Sequence, residues 1–178
     1  GYLGQSDRSR MYGHGIMTLM FAEMMGQGLD DVMDEKIRTR VQRAVELIIR
    51  SQDVIKSEPN RGGWRYEPGS SDSDISVSVW QVMSLRAAKN AGLNVPKDAV
   101  EKAVAYIKRS YRSERNADGT PRDMEAAFSY EPYGGRQTFS TTAAGVLALQ
   151  VCGDYQAHEV LGGGEAGNGL RVHEHVGA

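Results

Sequence analysis

The residues best suited to chemistry in this sequence lie on one stripe of a predicted helix that begins near Ser73. Asp74, Ser78 and Gln81 are separated by four and three residues, so a helix places them on the same face. Polar side chains on an otherwise apolar helix need hydrogen-bond partners or water. A central cavity would supply both, whereas neighbouring loops would supply hydrogen bonds. The stripe alone leaves both alternatives open.

The same stripe recurs 64 residues away on each side. The equivalent positions are Arg10, His14 and Met17 upstream, and Thr138, Thr142 and Gly145 downstream. In a cavity, Arg10 and His14 would form a small polar cluster with Asp74 at its mouth. The residues expected to contact a bound substrate are Arg10, His14, Ser78, Gln81 and Thr142.

Hydrophobic periodicity predicts five helices that position this stripe. Their predicted bounds are residues 12–25, 34–52, 73–90, 96–111 and 138–152. The first, third and fifth helices are apolar with few charges, whereas the second and fourth carry one charged face. An inner layer covered by an outer layer explains this difference, because only the outer helices face water. Two long loops, over residues 53–71 and up to residue 137, are expected between the helices.

A β-branched run at residues 75–79 is a competing strand signal. Its repeat partners, residues 11–15 and 139–143, do not alternate in the same way. A helix is therefore predicted at all three places.

Two seven-residue stretches show the repeat most clearly. They are Gly62-Gly63-Trp64-Arg65-Tyr66-Glu67-Pro68 and Ala126-Ala127-Phe128-Ser129-Tyr130-Glu131-Pro132, which lie 64 residues apart. A fixed period is typical of a fold that stacks one supersecondary unit. Helix hairpins in two layers predict an all-α fold, an α/α toroid present as a partial ring of about five helices. This domain is expected to span residues 1–160, and the Gly-rich residues 161–178 are expected to form a disordered tail.

Gln52 followed by Gly62-Gly63-Trp64 resembles the Gln…Gly-x-Trp repeat motif of squalene and hopene cyclases, members of the terpenoid cyclase and protein prenyltransferase superfamily. The spacing departs from that motif, since nine residues separate Gln52 from Gly62. The second copy keeps only the aromatic residue, Phe128. The resemblance covers roughly residues 12–153. It implies that an isoprenoid or another hydrophobic substrate is bound or cyclised in a central cavity, and no cofactor is expected.

The segment that begins at Asp72 resembles the Asp-x-Asp-Asp-Thr-Ala motif of those cyclases, whose middle Asp protonates the terminal alkene. The resemblance gives this general-acid role to Asp74, with Asp72 beside it. Desolvation and a neighbouring carboxylate would raise the pKa of such an acid. The sequence departs from the motif at Ile75, which replaces the third Asp. The other interpretation is that Asp72 or Asp74 caps the helix, as Thr138 can at the equivalent position.

The segment around His14 resembles the His-Gly-Gly-Tyr-Thr segment of protein prenyltransferase β subunits, where the His helps to hold the isoprenoid diphosphate. The alternative is a histidine packed between helices. The zinc ligands of those enzymes have no counterpart here, and no metal site is expected. His173 and His175 could bind a metal, but they lie in the Gly-rich tail and are expected to be solvated.

Aromatic residues mark both repeated stretches, and they are Trp64, Tyr66, Phe128 and Tyr130. Their ring faces could stabilise carbocations. Packing between helices at the loop side is the expected role. Glu67 and Glu131, each of which precedes a Pro, are expected to accept hydrogen bonds from the backbone or from Arg.

Composition narrows the possible partners. The formal net charge is −2, which argues against nucleic acid. The single Cys152 excludes an intrachain disulfide framework and a Cys-based zinc site. No apolar run reaches the roughly 18 residues of a transmembrane helix. The expected partner is a hydrophobic small molecule or a protein, and no localisation is assigned. A closed ring of six such hairpins would need about 380 residues. The domain is therefore expected to be part of a longer toroid, and the alternatives are a homodimer that completes the ring or an aberrant C-terminus.

The sequence leaves open whether the protein is an enzyme. An enzyme would be a squalene cyclase-like isomerase or lyase with an Asp as its general acid. A non-catalytic repeat module that binds protein or lipid is the alternative. A carbohydrate-active α/α toroid is a third hypothesis, which requires acids and aromatic residues to converge on one groove.

Overall fold

A computed structural model describes residues 1–27, 30–112, 117 and 127–154. The α-helices in these residues are α1 (Arg10–Glu23), α2 (Asp31–Gln52), α3 (Ile75–Asn90), α4 (Lys97–Ser110) and α5 (Phe139–Val151). A short 3₁₀ turn spans Glu58–Asn60. All five predicted helices are confirmed, and their ends differ from the prediction by at most three residues. The predicted tail lies outside the described residues.

Local sequence signals account for several helix ends. The side chains of Asp30, Asp74 and Thr138 each accept a hydrogen bond from the backbone N–H three residues later, at 2.7, 2.8 and 3.1 Å. These bonds satisfy N–H groups that have no partner within a helix. Gly26 and Gly92 follow α1 and α3 with φ of 80° and 76°, a conformation that strongly favours glycine.

The β-branched run at residues 75–79 forms the first turns of α3, as predicted. Ile75, Val77 and Val79 are all buried. The start of α3 is therefore covered by packed residues on several sides. Apolar side chains can point in all these directions and still be buried, so they are not limited to one face of the helix.

The structure corrects the prediction of an uninterrupted loop up to residue 137. Strands β1 (Tyr111–Arg112), β2 (Ala127–Glu131) and β3 (Gly134–Gln137) form an antiparallel sheet in that order. Aromatic and hydroxyl side chains suit a strand, and Phe128 is fully buried. Tyr133 and Gly135 have positive φ on either side of the hairpin turn. The fold is therefore mostly helical with a small sheet, and not all-α.

The three apolar helices pack side by side, with α3 between α1 and α5. The amphipathic α2 packs against α1 and α3, and α4 packs against α3 and α5. The side chain of Gln81 donates to the carbonyl of Met11 at 2.8 Å, and that of Ser84 donates to the carbonyl of Gly15 at 2.7 Å. Residue numbers rise together in these two contacts, so α1 and α3 run parallel.

Within the described part of the chain, no helix combines the length and apolar character that a bilayer span requires.

Candidate functional site

The predicted polar stripe is directed at the loops that precede the inner helices. His14 Nδ1, Ser78 Oγ and Thr142 Oγ1 occupy equivalent positions, and each accepts a hydrogen bond from a backbone N–H of the segment that precedes its helix. The donors are Leu3 at 3.2 Å, Trp64 at 2.9 Å and Phe128 at 3.3 Å, respectively. Gln81, the next residue of the stripe, is buried and bonds to the carbonyl of Met11 on α1. The alternative in which the stripe bonds to neighbouring loops is therefore confirmed for His14 and Ser78, whereas Thr142 bonds to strand β2.

Asp74 is the N-cap of α3 and is fully buried. Its Oδ1 accepts hydrogen bonds from Ser76 Oγ at 2.6 Å and from Val77 N–H at 2.8 Å. Its Oδ2 lies 3.3 Å from Arg65 Nε, which is an ion-pair contact. Burial raises the pKa of Asp74, against the hydrogen bonds from Ser76 and Val77 and the charge of Arg65. Capping is confirmed, whereas the role of Asp74 as a general acid stays a prediction.

Three carboxylates converge on Arg65, a residue that the sequence did not single out. Asp72, Asp74 and Glu131 lie 3.5, 3.3 and 2.6 Å from its guanidinium nitrogens. Burial acts against the charge of Arg65, but the hydrogen bond with Glu131 and the charges of Asp74 and Asp72 raise its pKa. Its position in the repeated stretch, beside Glu residues expected to accept from Arg, was the signal for this role.

Two tyrosine rings complete the surroundings of Arg65. Its guanidinium carbon lies 5.0 Å from the ring centre of Tyr66 and 5.7 Å from that of Tyr130. These distances are in the range of cation–π contacts. The cation that occupies these ring faces in the structure is thus the protein's own arginine.

Arg10 and His14 are held away from Asp74 by other partners. Arg10 Nε lies 3.0 Å from a carboxylate oxygen of Glu67, so Glu67, like Glu131, pairs with an Arg as expected. The two guanidinium–carboxylate pairs thus assign Arg10 to Glu67 and Asp74 to Arg65. The predicted cluster of Arg10, His14 and Asp74 is replaced by these pairs.

His14 is fully buried and its tautomer follows from its neighbours. Nδ1 must accept, because Leu3 N–H donates to it, and Nε2 therefore donates to the carbonyl of Ala44 at 3.1 Å. Burial lowers the pKa of His14 to about 4, so the ring is neutral at physiological pH. His14 thus links α1 to α2, and the alternative of a histidine packed between helices is confirmed. An anionic ligand would have to replace one of its two hydrogen bonds.

The repeat motif forms a scaffold. The Gln52 side-chain amide donates to the carbonyls of Gly62 and Ala99, both at 2.9 Å. Trp64 Nε1 donates to the carbonyl of Ile48 at 2.8 Å, and the Trp64 ring is buried. These bonds tie the end of α2 to the following loop and to the start of α4. Packing is therefore the confirmed role of Trp64, and Phe128 is fully buried at the equivalent position.

A row of half-exposed apolar side chains lies two register positions away from the polar stripe. Tyr12 and Ser76 are repeat equivalents whose hydroxyl groups contact each other across α1 and α3. Residues four and seven positions later share their helix faces. The members of this apolar row are Ile16 and Leu19 on α1, Trp80 and Met83 on α3, and Leu147 on α5. Ile16 and Leu147 are each 41% exposed. The polar positions of the sequence do not indicate this row, although the same 64-residue register connects Leu19, Met83 and Leu147.

Among the described residues, no group of three or more His, Cys, Asp or Glu side chains converges as a metal site. His173 and His175 lie outside those residues. Comparisons of the chain with protein-family models, with curated proteins and with solved structures find no match.

Proposed function

We propose that this chain is a terpenoid cyclase-like repeat protein whose inner helices bind an isoprenoid or another hydrophobic small molecule. In this proposal α1, α3 and α5 form the inner layer of an α/α arc, and α2 and α4 form its outer layer. The resemblance of Gln52 and Gly62-Gly63-Trp64 to the cyclase motif supports the family. The single observation that carries the binding function is the apolar row.

The apolar row offers a ligand both apolar area and an orienting end. Trp80 and Met83 are half-buried on α3, which packs between α1 and α5, the helices that carry the other members of the row. Removal of apolar surface from water is favourable by about 25 cal/mol per Å². Hydroxyl groups of Tyr12 and Ser76 lie at one end of the row. Ligand sites commonly combine an apolar lining with a few polar groups that fix orientation.

Binding is better supported than catalysis by the surroundings of Asp74. Its carboxyl group is fully buried, accepts a hydrogen bond from Ser76 and is paired with Arg65, so a ligand on the apolar row would not contact it directly. Ser76 Oγ and the Tyr12 hydroxyl form one chain of contacts through which a proton could pass from Asp74 to the apolar row. Catalysis by Asp74 is therefore proposed only as an addition to binding.

The proposed role of Asp74 as a general acid is tested with the substitution Asp74→Asn. Asn is an N-cap about as good as Asp, so the helix start is retained while the acid is removed. If Asp74 is the general acid, cyclisation of squalene or a shorter polyprenyl substrate falls by about 100-fold or more. Turnover equal to that of the wild type removes Asp74 from the reaction but leaves the binding proposal intact.

Binding is tested by following Trp80 fluorescence during titration with squalene and with a shorter polyprenyl alcohol. We expect a saturable change that is lost in Trp80→Phe, because Trp64 is buried away from the ligand. Ile16→Glu is expected to weaken binding about tenfold or more by placing a charge in the row. Ile55→Glu is the matched control, since Ile55 is 92% exposed outside the row. No saturation, or equal losses in both Glu variants, would overturn the proposal.

A groove at the other edge of α1 supports a second candidate, a module that completes its ring with another copy of the chain. The groove has a volume of about 440 Å³ and is lined mainly by Leu3, Phe21, Met33, Ile37 and Val41. Phe21 is the repeat equivalent of Leu85, which is buried between packed helices. In the ring model, a second copy would cover Phe21 in the same way. A sedimentation-velocity measurement that finds a dimer lost in Met33→Glu supports this candidate, and a monomer at all concentrations excludes it.

A further inference from the structure

A second pocket lies between the end of α2, the loop that follows it and α4. Its volume is about 390 Å³, and it shares no lining residue with the apolar row. Its basic lining residues are Lys56, Arg61, Lys102 and Arg109. We propose that this pocket binds the phosphate or diphosphate group of a small molecule, a site independent of the proposed isoprenoid-binding face.

The formal charge of the lining is strongly positive. Asp53 is the one acidic side chain among the lining residues, and its carboxylate lies 2.9 Å from Lys102 Nζ. A second carboxylate, Asp98, also pairs with Lys102 at 3.0 Å. Lys102 is therefore neutralised by its neighbours. The positive charges of Lys56, Arg61 and Arg109 are the ones that a ligand can use.

Lys56 is a buried ammonium group that bonds to neutral acceptors. Only 6% of the residue is exposed, and its Nζ donates to the carbonyls of Ser70 at 2.7 Å and Asp72 at 3.2 Å. Burial lowers the pKa of Lys56, and the nearby Asp72 carboxylate opposes this shift. An ammonium group has three donors, so one remains after these two bonds. A phosphate oxygen would supply both an acceptor and a compensating charge.

Arg61 and Arg109 present guanidinium groups to the same pocket. Among the described residues, the exposed Arg61 side chain has neither a hydrogen bond nor an ion pair. Arg109 is fixed in place by hydrogen bonds to the carbonyls of Pro59 and Arg61, and its Nε lies 4.0 Å from the Glu58 carboxylate. The planar fork of donors on Arg matches phosphate oxygens in a bidentate manner. Arg109 would therefore provide a guanidinium group that is already held in place, and Arg61 would provide one that is free to turn towards the anion.

The backbone at Gly62 keeps the pocket compact. Gly62 has φ of 88°, and a Cβ atom there would lie 2.1 Å from the carbonyl oxygen of Lys102. Glycine therefore lets the loop touch α4 and places Arg61 next to the helix face that carries Lys102 and Arg109. The loop geometry thus brings cations from two elements to one pocket.

The experiment is a calorimetric titration of the whole chain with inorganic pyrophosphate, and with inorganic phosphate, at constant ionic strength set by sodium chloride. Saturable binding at one site is expected. Arg61→Gln should weaken pyrophosphate binding about tenfold or more without loss of stability, because its side chain holds no structural contact. Arg50→Gln is the matched control, since it removes the same charge from an exposed residue of α2 that does not line the pocket.

Circular dichroism of both variants verifies that they fold before binding is compared. Heat that does not saturate, or equal effects of Arg61→Gln and Arg50→Gln, would show nonspecific charge screening and overturn the site. Acetate or glutamate that binds as tightly as pyrophosphate would overturn the assignment to phosphate. Each of these outcomes leaves the Trp80 titration of the apolar row unaffected, so the two proposals fail separately.

Discussion

The phenolic oxygens of Tyr66 and Tyr130 lie 2.6 Å apart, although 64 residues separate them in the chain. Their repeat equivalent at the other end, Tyr2, bonds instead to Glu67 through a 3.4 Å contact. The ring of Tyr12 also stacks on that of Tyr66, with 6.0 Å between ring centres. The repeat is therefore a direct contact between equivalent side chains as well as a pattern in the sequence. This contact joins the segment that precedes α3 to strand β2, which precedes α5.

Tyr130→Phe is expected to lower the free energy of unfolding by about 1 kcal/mol, because it removes one partly buried hydrogen bond. It should also lower the pKa of Tyr66, which the bond to Tyr130, together with burial, raises to about 12. Urea denaturation and ultraviolet titration measure the two effects. Tyr133→Phe is the control, since Tyr133 is an exposed residue of the hairpin turn. This substitution should leave the free energy of unfolding nearly unchanged. Equal losses in both variants would contradict a specific bond.

Acidification is expected to destabilise the protein through His14. The folded-state pKa of about 4 is below the usual 6.5, so the stability from neutral His14 is complete above pH 6.5. It is lost as the pH falls from 6.5 to 4, by about 3 kcal/mol in total. Denaturation curves at several pH values measure this slope. His14→Gln should be less stable at pH 7 and should lack the His-dependent part of the slope. An unchanged slope in the variant would assign it to other groups.

Gln52→Glu is expected to cost about 2–4 kcal/mol of unfolding free energy. The substitution replaces the donor amide with a carboxyl oxygen opposite the carbonyls of Gly62 and Ala99, in a buried position. Gln42→Glu is the matched control, because Gln42 also bridges a helix to a loop but lies at the surface. It should cost less than about 1 kcal/mol. Chemical denaturation compares the two, and similar costs would refute a special role for the repeat glutamine.

Gly145→Ala is expected to destabilise the protein by about 1–3 kcal/mol through overpacking. A Cβ atom at residue 145 would lie 2.4 Å from ring carbons of the fully buried Phe128. Gly134→Ala is a control at which a Cβ atom meets open space and the backbone φ is not positive. Thermal unfolding should separate the two variants clearly. Loss of stability in Gly134→Ala alone would contradict the packing explanation.

The sequence predicted the helices and their grouping because those signals are local. Charge on one face distinguished α2 and α4 from the apolar helices, and glycines together with capping residues marked several ends. The repeat also placed Asp74 and Thr138 correctly as equivalent caps. Equivalence along the chain did not show which partner each polar side chain would meet. Arg65 was missed for that reason, since two of its carboxylates come from residues just before α3 and the third comes from strand β2.

The sequence by itself determined five helices, their 64-residue register and the division into apolar and amphipathic helices. It did so because helical periodicity and capping depend on residues a few positions apart. Only the tertiary structure decided that Ser78 and His14 bond to loop backbone, that residues 127–137 pair as strands, and that the row through Trp80 stays half-exposed. A periodic pattern indicates which side chains share a face of a helix. Packing of distant segments decides which of those faces is covered, and therefore where a ligand can bind.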